Sequence, residues 1–512
     1  MVGLSTSLRR EGLAALSGVL LFLSFPKFGH GAVAWFALVP LLVALPGTAG
    51  GEAFRLGYVT GAISSLGLLY WTAFVVVQYG GLGLGAGVAV MAALCLGVAL
   101  FPSAFAWAVA RIVGTCGPGG LLAAPLAWVA TEILRAHTLF SFPWCLLGYS
   151  QHRHLPFIQI ASVAAVYGVS FLVAAASSLL AYVAVERRPR RRRAALAGLV
   201  VLVGGTWAWG SAQLSAPLPE SGRIRVGLVQ GGIRQEDKWV PENAWSNVGR
   251  HVELSVQAAG EGARLVVWPE SAVPFRFDGD PLLAETLQGL ARGQGIYLFF
   301  GNDDVEAPAD GGPRIYVGAK LLDPRGELVY RYRKIQLVPF GEYVPLRPLF
   351  TLGGRVGAKL VAEVSDFSPG SEHTLAEVEG RKLAGFICYE AIFPALVRPF
   401  AAKGAQLFVN ITNDAWYGTT SAPHQHLAMA VFRAVENRRW LVRAANTGIT
   451  AVVDPWGRVL GPTRLFAQTV LVRDVPFLAG RTPYTRYGDV FGWGCLAATL
   501  GLLAATRVAP FR

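Results

Sequence analysis

Three segments in the second half of the sequence each contain one residue that could take part in acyl transfer. Glu270 follows the apolar run Leu-Val-Val-Trp-Pro, Lys334 lies just before Leu-Val-Pro-Phe, and Cys388 follows Ala-Gly-Phe-Ile. A thiol becomes a strong nucleophile when a neighbouring cation lowers its pKa and a base removes its proton. Glu270 is the expected base, and Lys334 is the expected cation, which would also stabilise an oxyanion. Together the three residues predict acyl transfer through a cysteine, without a histidine.

Each of these residues alone has a more ordinary interpretation. A glutamate after a strand often caps a helix, a lysine in a Tyr/Arg-rich segment is usually solvated, and a cysteine after Phe-Ile is often a small core residue. The occurrence of all three residue types together favours a catalytic role. Cys388 is also the one cysteine of five that lies in the polar part of the chain. No CxxC pair or Cys/His metal spacing occurs, so we expect neither a disulfide framework nor a metal site.

The elements that would position these residues form an alternating pattern between about 220 and 480. Strand-like segments alternate with helical ones, which predicts one α/β domain with its own core. The predicted strands are 224–229, 264–268, 295–301, 383–388 and 406–410. The predicted helices are 245–259, 281–292 and 427–437. Glu270 and Cys388 then lie at strand ends, where α/β domains commonly build sites.

The first two-fifths of the chain is apolar and predicts a bundle of membrane helices. We expect seven spans in residues 1–219, the catalytic domain in 220–480, and an eighth span with the C-terminus in 481–512. The expected spans are 11–27, 31–47, 56–78, 83–112, 119–136, 161–185, 194–212 and Val490–Thr506. Pro26 and Pro40 interrupt the first two, so these could instead form a tight hairpin. Because no small-x-small site follows the first apolar run, we expect no signal-peptide cleavage.

The charge distribution predicts how the bundle is oriented. The chain has a net charge of +13, and six of its arginines lie in the short run 187–193 between two apolar stretches. This location indicates a cytoplasmic anchor rather than nucleic acid binding. Arg9, Arg10, Arg55 and Arg111 fall on the same side as that run, and so do Arg507 and Arg512. The positive-inside rule therefore places residues 220–480 outside the cytoplasm.

Four sequence motifs resemble those of a known family. They are WPES at 268–271, YRKIQLVPFGEYVP at 332–345, GFICYE at 385–390 and NITNDAWYG at 410–418. They resemble the apolipoprotein N-acyltransferases, the membrane-embedded branch of the nitrilase superfamily, whose catalytic residues are Glu, Lys and Cys in that order. Segments 23–26, 142–151 and 481–489 extend the resemblance over nearly the whole chain. It implies a multi-pass α-helical bundle of about eight spans joined to a nitrilase-like αββα sandwich.

The resemblance also implies an activity and roles for individual residues. The enzyme would transfer a fatty acyl chain from a membrane phospholipid to the N-terminal amine of a diacylglyceryl-cysteine on an apolipoprotein. It would do so in the bacterial inner membrane, without cofactor or metal, by a ping-pong mechanism through a Cys388 thioester. Glu270 would be the base and Lys334 the oxyanion-stabilising cation. Supporting or substrate-binding roles would fall to Glu342, Tyr389, Glu390, Trp239, Trp144 and Asn413.

Two other functions fit parts of the sequence. A membrane-anchored amidase of the same superfamily would use the same three residues on a small amide, but a simple anchor needs one helix rather than seven or eight. A transporter or scaffold would use the outer domain only for binding. Few charged residues lie within the predicted spans, mainly Glu132 and Arg135, so a translocation pathway is poorly supported.

Overall fold

The structure is a computed structural model that describes residues 2–81, 83–138, 141–306, 312–344 and 366–508. Pro345, at the end of the second motif, lies outside the described residues. Arg512 and the side chain of Arg507, which we used to predict orientation, lie outside them as well.

The first 213 residues form a helical region. Its main helices, α1 to α7, are Val2–Phe22, Gly50–Leu69, Trp71–Tyr79, Leu84–Cys116, Ala124–His137, Ala161–Val185 and Pro189–Gln213. Short α-helices are Ala34–Ala37, Val39–Ala44 and Leu155–Ile158, and 3-10 helices are Gly31–Val33, Gly117–Ala123 and Leu147–Gln151. The segment predicted as a second span, 31–47, therefore consists of short helical pieces.

Length and composition identify fewer spans than the sequence predicted. Among the described residues, three helical stretches are long and apolar enough to cross a membrane: Leu84–His137, Ala161–Val185 and Pro189–Gln213. A fourth is possible if α2 and α3, which meet at a 50° bend, form one broken span. An apolar multi-helix region is therefore present, and the count of about eight spans stays a prediction.

Small residues allow helices α2 and α4 to pack closely. A Cβ atom added to Gly61 would lie 2.8 Å from the Cα of Ala99, and one added to Gly57 would lie 2.4 Å from the carbonyl oxygen of Pro102. Such close backbone approach is typical of helix pairs that associate in lipid, where dispersion contacts replace the hydrophobic effect as the driving force.

The second half of the chain contains two six-stranded sheets. The strands β1 to β14 are Glu220–Gln230, Leu265–Val267, Tyr297–Gly301, Asp304–Glu306, Arg314–Tyr316, Gly318–Leu322, Leu328–Arg333, Ala376–Val378, Arg381–Ile387, Leu407–Thr412, Trp440–Ala445, Ala451–Val453, Val459–Leu460 and Thr469–Leu478. One sheet has the order β14-β1-β2-β3-β6-β7 and the other β13-β12-β11-β10-β9-β8. Strands β4 and β5 form a separate pair.

Helices cover the outer faces of the two sheets. The main helices of this half, α8 to α12, are Ala244–Gly260, Pro281–Gln294, Pro394–Ala402, Ala422–Asn437 and Val490–Val508, and shorter ones are Gln235–Lys238, Pro241–Asn243, Cys388–Ile392, Asp414–Tyr417 and Pro483–Tyr487. Helices α8 and α9 pack on the first sheet through one apolar cluster. The facing sides of the two sheets share a second cluster, which includes Phe299 and Phe386. The layer order is αββα, as expected.

All five predicted strands and all three predicted helices of this domain are present, with shifted ends. Strand β9 ends at Ile387 rather than at Cys388, because the chain turns into a 3-10 helix there. Helix α11 begins at Ala422, five residues before its predicted start at 427. The prediction missed this first turn because Pro423 and two histidines give it a composition typical of a loop, although proline is common at the start of a helix. Nine strands, β4 to β8 and β11 to β14, were not predicted. Five of them, β4, β5, β8, β12 and β13, have only two or three residues and give no readable periodicity.

Candidate active site

The three predicted catalytic residues lie directly after strands. Glu270 follows β2 by three residues, and Lys334 and Cys388 come immediately after β7 and β9. The Lys334 Nζ atom donates a hydrogen bond to Glu270 Oε1 at 3.1 Å and to Glu342 Oε1 at 2.5 Å. Lys334 is fully buried, and Glu270 and Cys388 are 6% and 5% exposed. The structure thus gathers one lysine and two glutamates in a largely buried pocket.

The Cys388 thiol lies within the field of the same charges. Burial raises the pKa of the thiol above its usual value, the Glu270 carboxylate raises it further, and the Lys334 ammonium opposes both. Burial alone would discharge Lys334, but the carboxylates of Glu270 and Glu342 outweigh it and raise the pKa of the ammonium well above its usual value. The resting site therefore holds a protonated lysine beside a neutral thiol.

The backbone of Cys388 is strained. Its φ angle is +49°, in the left-handed region that residues with a side chain seldom adopt. The residue forms the corner between β9 and the following 3-10 helix. A sharp strand-to-helix corner projects a nucleophile out of the sheet, and the surrounding contacts must stabilise the strain, which costs about 1–3 kcal/mol.

Glu390 supplies one set of those contacts. Its Oε2 accepts a hydrogen bond from the backbone N–H of Ile387 at 2.7 Å. Its Oε1 accepts from the Tyr332 hydroxyl at 2.8 Å and from the backbone N–H groups of Ile335 and Gln336 at 2.7 and 3.2 Å. One buried carboxylate therefore ties the residue before the nucleophile to the segment that carries Lys334.

Glu342 and Asn413 support the two charged members of the site. Glu342 Oε2 accepts from the Val338 N–H at 2.8 Å, which folds the chain after Lys334 back onto the ammonium. The Asn413 backbone N–H donates to Glu270 Oε2 at 2.9 Å. The Asn413 side chain donates to Gln235 Oε1 at 2.8 Å and accepts from Asn446 at 3.0 Å. Asn413 therefore orients the expected base through its main chain.

The remaining predicted residues lie around this centre. Tyr389 is buried, and its hydroxyl donates to the carbonyl oxygen of Ser141 at 3.5 Å. Trp239 is 50% exposed, next to the buried Lys238. Trp144 belongs to the loop that follows helix α5 and is buried, with its Nε1 donating to Gln425 Oε1 at 2.8 Å.

Trp144 also borders a cavity within the helical region. Aromatic rings of Trp71, Phe142 and Tyr417 surround its indole at centroid distances of 4.9, 6.1 and 6.1 Å. The cavity is lined mainly by apolar side chains and contains two charged ones, Glu132 and Arg135. The aromatic group therefore separates an apolar space in the bundle from the catalytic domain.

Sequence reasoning did not identify Lys238 as part of the site. Its Nζ donates to the backbone carbonyl of Glu270 at 3.1 Å, and the side chain is 3% exposed. Burial lowers the pKa of Lys238 to about 8, although the Glu270 and Asp303 carboxylates oppose the shift. The motif Asp-Lys-Trp is typical of a surface turn, so no pattern in the sequence signals that this lysine is buried.

A second unpredicted group consists of Asp414, His426 and Arg443, all fully enclosed. Atoms of Cys388, Asp414 and His426 that could bind a metal lie within 4.8 Å of one another. Both ring nitrogens of His426 are within hydrogen-bond distance of protein atoms, and Arg443 binds the Asp414 carboxylate. The side chains of Asp414, His426 and Arg443 are therefore already engaged in hydrogen bonds and ion pairs.

Comparison with known proteins agrees with this architecture. Residues 225–483 match the carbon-nitrogen hydrolase family model. An amidase of the nitrilase superfamily from Nesterenkonia AN1 is 26% identical over 51% of this chain and 94% of its own, with a TM-score of 0.38. The family match identifies the second half of the chain as a carbon-nitrogen hydrolase domain.

The first half defines the family more narrowly. Residues 17–179 match the model of the apolipoprotein N-acyltransferase N-terminal domain. The apolipoprotein N-acyltransferase of Geobacter metallireducens is 43% identical over 98% of this chain and 96% of its own length. That of Methylococcus capsulatus is 35% identical, with coverage of 97% and 96%. The chain belongs to the apolipoprotein N-acyltransferase family.

Proposed function

We propose that this chain transfers a fatty acyl chain from a membrane phospholipid to the N-terminal amine of a diacylglyceryl-cysteine on an apolipoprotein. Family membership over nearly the full length supports the reaction class. The observation that carries the proposal is the contact of the Lys334 ammonium with Glu270 and Glu342 beside the Cys388 thiol. A domain with this chemistry, fused to an apolar bundle, fits a lipid substrate better than a small amide.

In the first half-reaction Glu270 takes the Cys388 proton as the sulfur attacks an ester carbonyl of the phospholipid. The carbonyl oxygen becomes an oxyanion, which the Lys334 ammonium stabilises. When the tetrahedral intermediate collapses, the carbon–oxygen bond breaks and Glu270 returns the proton to the leaving alkoxide. Lysophospholipid departs, and the acyl chain remains as a thioester on Cys388.

In the second half-reaction the lipoprotein amine attacks the thioester carbonyl. Glu270 takes a proton from the amine, and Lys334 again stabilises the oxyanion. As the amide forms, the carbon–sulfur bond breaks and Glu270 returns the proton to the Cys388 sulfur, which restores the thiol. Water would divert the thioester to free fatty acid. The small exposed fraction of Glu270, Lys334 and Cys388 limits that hydrolysis.

The surroundings support lipid access from the membrane. We assign Trp239, which is half exposed, to the lipid entrance, and Trp144 to an aromatic arm between the site and the apolar cavity. Glu342, Tyr389, Glu390 and Asn413 are assigned to support of the triad and its substrates. We further propose the division 1–219, 220–480 and 481–512, about eight spans, and a catalytic domain outside the cytoplasmic membrane. The positive-inside distribution of arginines supports that orientation.

Intact-mass analysis of the full-length protein tests the reaction. The purified protein is incubated with a phospholipid that carries one defined acyl chain, and the added mass is mapped to a peptide. We expect one acyl group on the Cys388 peptide, none in Cys388→Ala, and unchanged labelling in Cys116→Ser, which removes an exposed cysteine outside the site. Lysophospholipid should form in equal amount. An acyl mass that persists in Cys388→Ala, or ammonia release from small amides without lipid, would contradict the proposal.

A further inference from the structure

A second polar cluster lies against the main chain of Cys388. The His426 Nε2 atom is 3.0 Å from the carbonyl oxygen of Cys388. On the other side of the ring, Nδ1 is 3.0 Å from Asp414 Oδ1 and 3.1 Å from Arg443 Nη2. His426 is fully buried in helix α11, and the rings of Trp144 and Tyr417 lie beside it at centroid distances of 5.7 and 6.4 Å.

The neighbours of His426 hold the imidazole in place. Asp414 Oδ1 accepts from the Thr412 hydroxyl at 2.9 Å, and Oδ2 accepts from Arg443 Nη2 at 2.9 Å. Arg443 Nη1 donates to Asn410, whose side-chain amide donates to the Phe386 carbonyl oxygen at 3.1 Å. The chain of contacts therefore connects the ring to strands β9, β10 and β11.

The Cys388 contact defines which nitrogen carries a proton. A carbonyl oxygen can only accept, so Nε2 must be the donor. A neutral ring with its proton on Nε2 can accept from Arg443 at Nδ1, and a charged ring can donate to Asp414 there. Both states keep the Nε2–H bond to Cys388, although the neutral ring leaves its unprotonated Nδ1 3.0 Å from the acceptor Asp414 Oδ1. The remaining tautomer has no proton on Nε2 and would lose the bond to the Cys388 carbonyl. Burial and the Arg443 charge lower the pKa of His426, which favours the neutral form.

This geometry distinguishes His426 from the histidine of a Cys-His pair. The Nε2 proton is directed at the main-chain carbonyl of the cysteine, so the ring is not placed as the base for its sulfur. The carbonyl belongs to the planar peptide that joins Cys388 to Tyr389. In a trans peptide the N–H points opposite to the C=O, so an anchor on the carbonyl also determines the direction of the Tyr389 N–H.

We propose that His426 is a positioning residue that holds the Cys388–Tyr389 peptide so that the Tyr389 N–H can donate to the oxyanion together with Lys334. The inference rests on the proposed acyl transfer. Two anchors then flank the strained nucleophile: Glu390 binds the Ile387 N–H before it, and His426 binds the carbonyl after it. A backbone N–H directly after the nucleophile is a common oxyanion donor at such corners.

Two substitutions separate the role of the donor from the role of the ring. In His426→Gln the amide nitrogen occupies the Nε2 position and can still donate to the Cys388 carbonyl. In His426→Asn the amide is one carbon shorter and reaches only the Nδ1 position. We expect kcat for acyl-enzyme formation to fall about 10²-fold in His426→Asn, the usual effect of losing one oxyanion donor, with KM for the phospholipid unchanged. His426→Gln should recover most of this loss.

A second readout uses alkylation of Cys388 by iodoacetamide, a reaction that needs no oxyanion. We expect His426→Asn to be alkylated at the wild-type rate while its acylation is slow. His424→Asn, two residues earlier on the same helix, is the matched control and should keep the wild-type rate in both reactions. Melting temperatures of all variants report on folding.

Several outcomes would overturn the inference. They are equal acylation rates in His426→Asn and wild type, equal losses in His426→Gln and His426→Asn, or a parallel loss of alkylation and acylation in a folded variant. Failure of the proposed function gives a different result, because the wild-type protein would then be alkylated by iodoacetamide at Cys388 but would form no thioester from phospholipid.

Discussion

Glu390 shows how burial affects an ionisable side chain in this domain. It is fully enclosed and accepts hydrogen bonds from one hydroxyl and three backbone N–H groups. Burial raises the pKa of Glu390 to about 7 in spite of these donors. An unfolded chain would titrate this group near its usual value, about 4.3. The folded protein therefore binds the proton more tightly than the unfolded chain does.

This difference predicts a pH dependence of stability. The contribution of a group with a raised pKa is fully present below the unfolded pKa and is lost as pH rises through the folded pKa. We expect the melting temperature of the wild type, relative to Glu390→Gln, to fall between pH 5 and pH 8. Thermal unfolding of both proteins at a series of pH values measures it. Glu377→Gln, at an exposed site on β8, should show no such trend. A constant difference, or one that grows with pH, would contradict the prediction.

Some residues of the candidate site could be predicted from the sequence, and others could not. Glu270 and Cys388 were identifiable because each lies at the end of a predicted strand, and Lys334 because it completes one chemical set with them. Lys238 and His426 were not identifiable. A lysine in a polar turn and a histidine in a Pro-His-Gln-His segment resemble surface residues, and only tertiary packing buries them.

At the scale of elements, strands β6 and β11 are buried almost throughout and were not predicted, whereas other long buried runs were. Strand β10, for example, is buried at all six positions. The corner at Cys388 was missed, since Phe-Ile-Cys-Tyr continues an apolar strand pattern. In the 3-10 turn there, Glu390 binds the Ile387 N–H from within the turn, and His426 contacts the Cys388 carbonyl from helix α11. Long-range contacts of this kind leave no local periodicity.

A Gly→Ala substitution should have opposite effects at Gly385, which lies between the two sheets, and at Gly289, which lies on an exposed helix surface. In Gly385→Ala the new Cβ would lie 2.5 Å from the ring of the buried Phe299 on the facing sheet. Overpacking of this kind costs about 1–3 kcal/mol. Gly289 is exposed on helix α9 with no atom within 4 Å of an added Cβ. Gly289→Ala should therefore stabilise the helix by about 0.5–1 kcal/mol.

The melting temperatures of the two variants in detergent measure these effects. Gly385→Ala should melt below the wild type and Gly289→Ala slightly above it. If Gly385→Ala proved as stable as the wild type, the two sheets would be less tightly packed at this point than the structure indicates.

At the scale of the whole molecule, the helical region and the catalytic domain share a core. One apolar cluster contains Phe25, Leu69 and Trp71 from the first half together with Tyr417 and Met429 from the second. Helix α11 lies at this junction. Gln425 accepts a hydrogen bond from Trp144 and donates to the Leu68 carbonyl, and the next residue, His426, contacts Cys388. Gln425 and His426 thus connect Trp144 of the helical region to Cys388.

The orientation of the molecule in the membrane gives the last prediction. Cys116 is an exposed cysteine at the end of helix α4, on the side of Arg111, which the positive-inside rule assigns to the cytoplasm. Glu285 is exposed on α9, on the outer face of the catalytic domain. In spheroplasts, a membrane-impermeant maleimide should label Glu285→Cys in a Cys116→Ser background before permeabilisation. It should label Cys116 of the wild type only afterwards.

Peptide mapping assigns each label to its cysteine. The reverse order of labelling would place the catalytic domain in the cytoplasm. The second substrate would then be out of reach, because an exported lipoprotein presents its N-terminal cysteine on the outer side of the membrane. The acyl transfer proposed here therefore requires Glu285→Cys to react first.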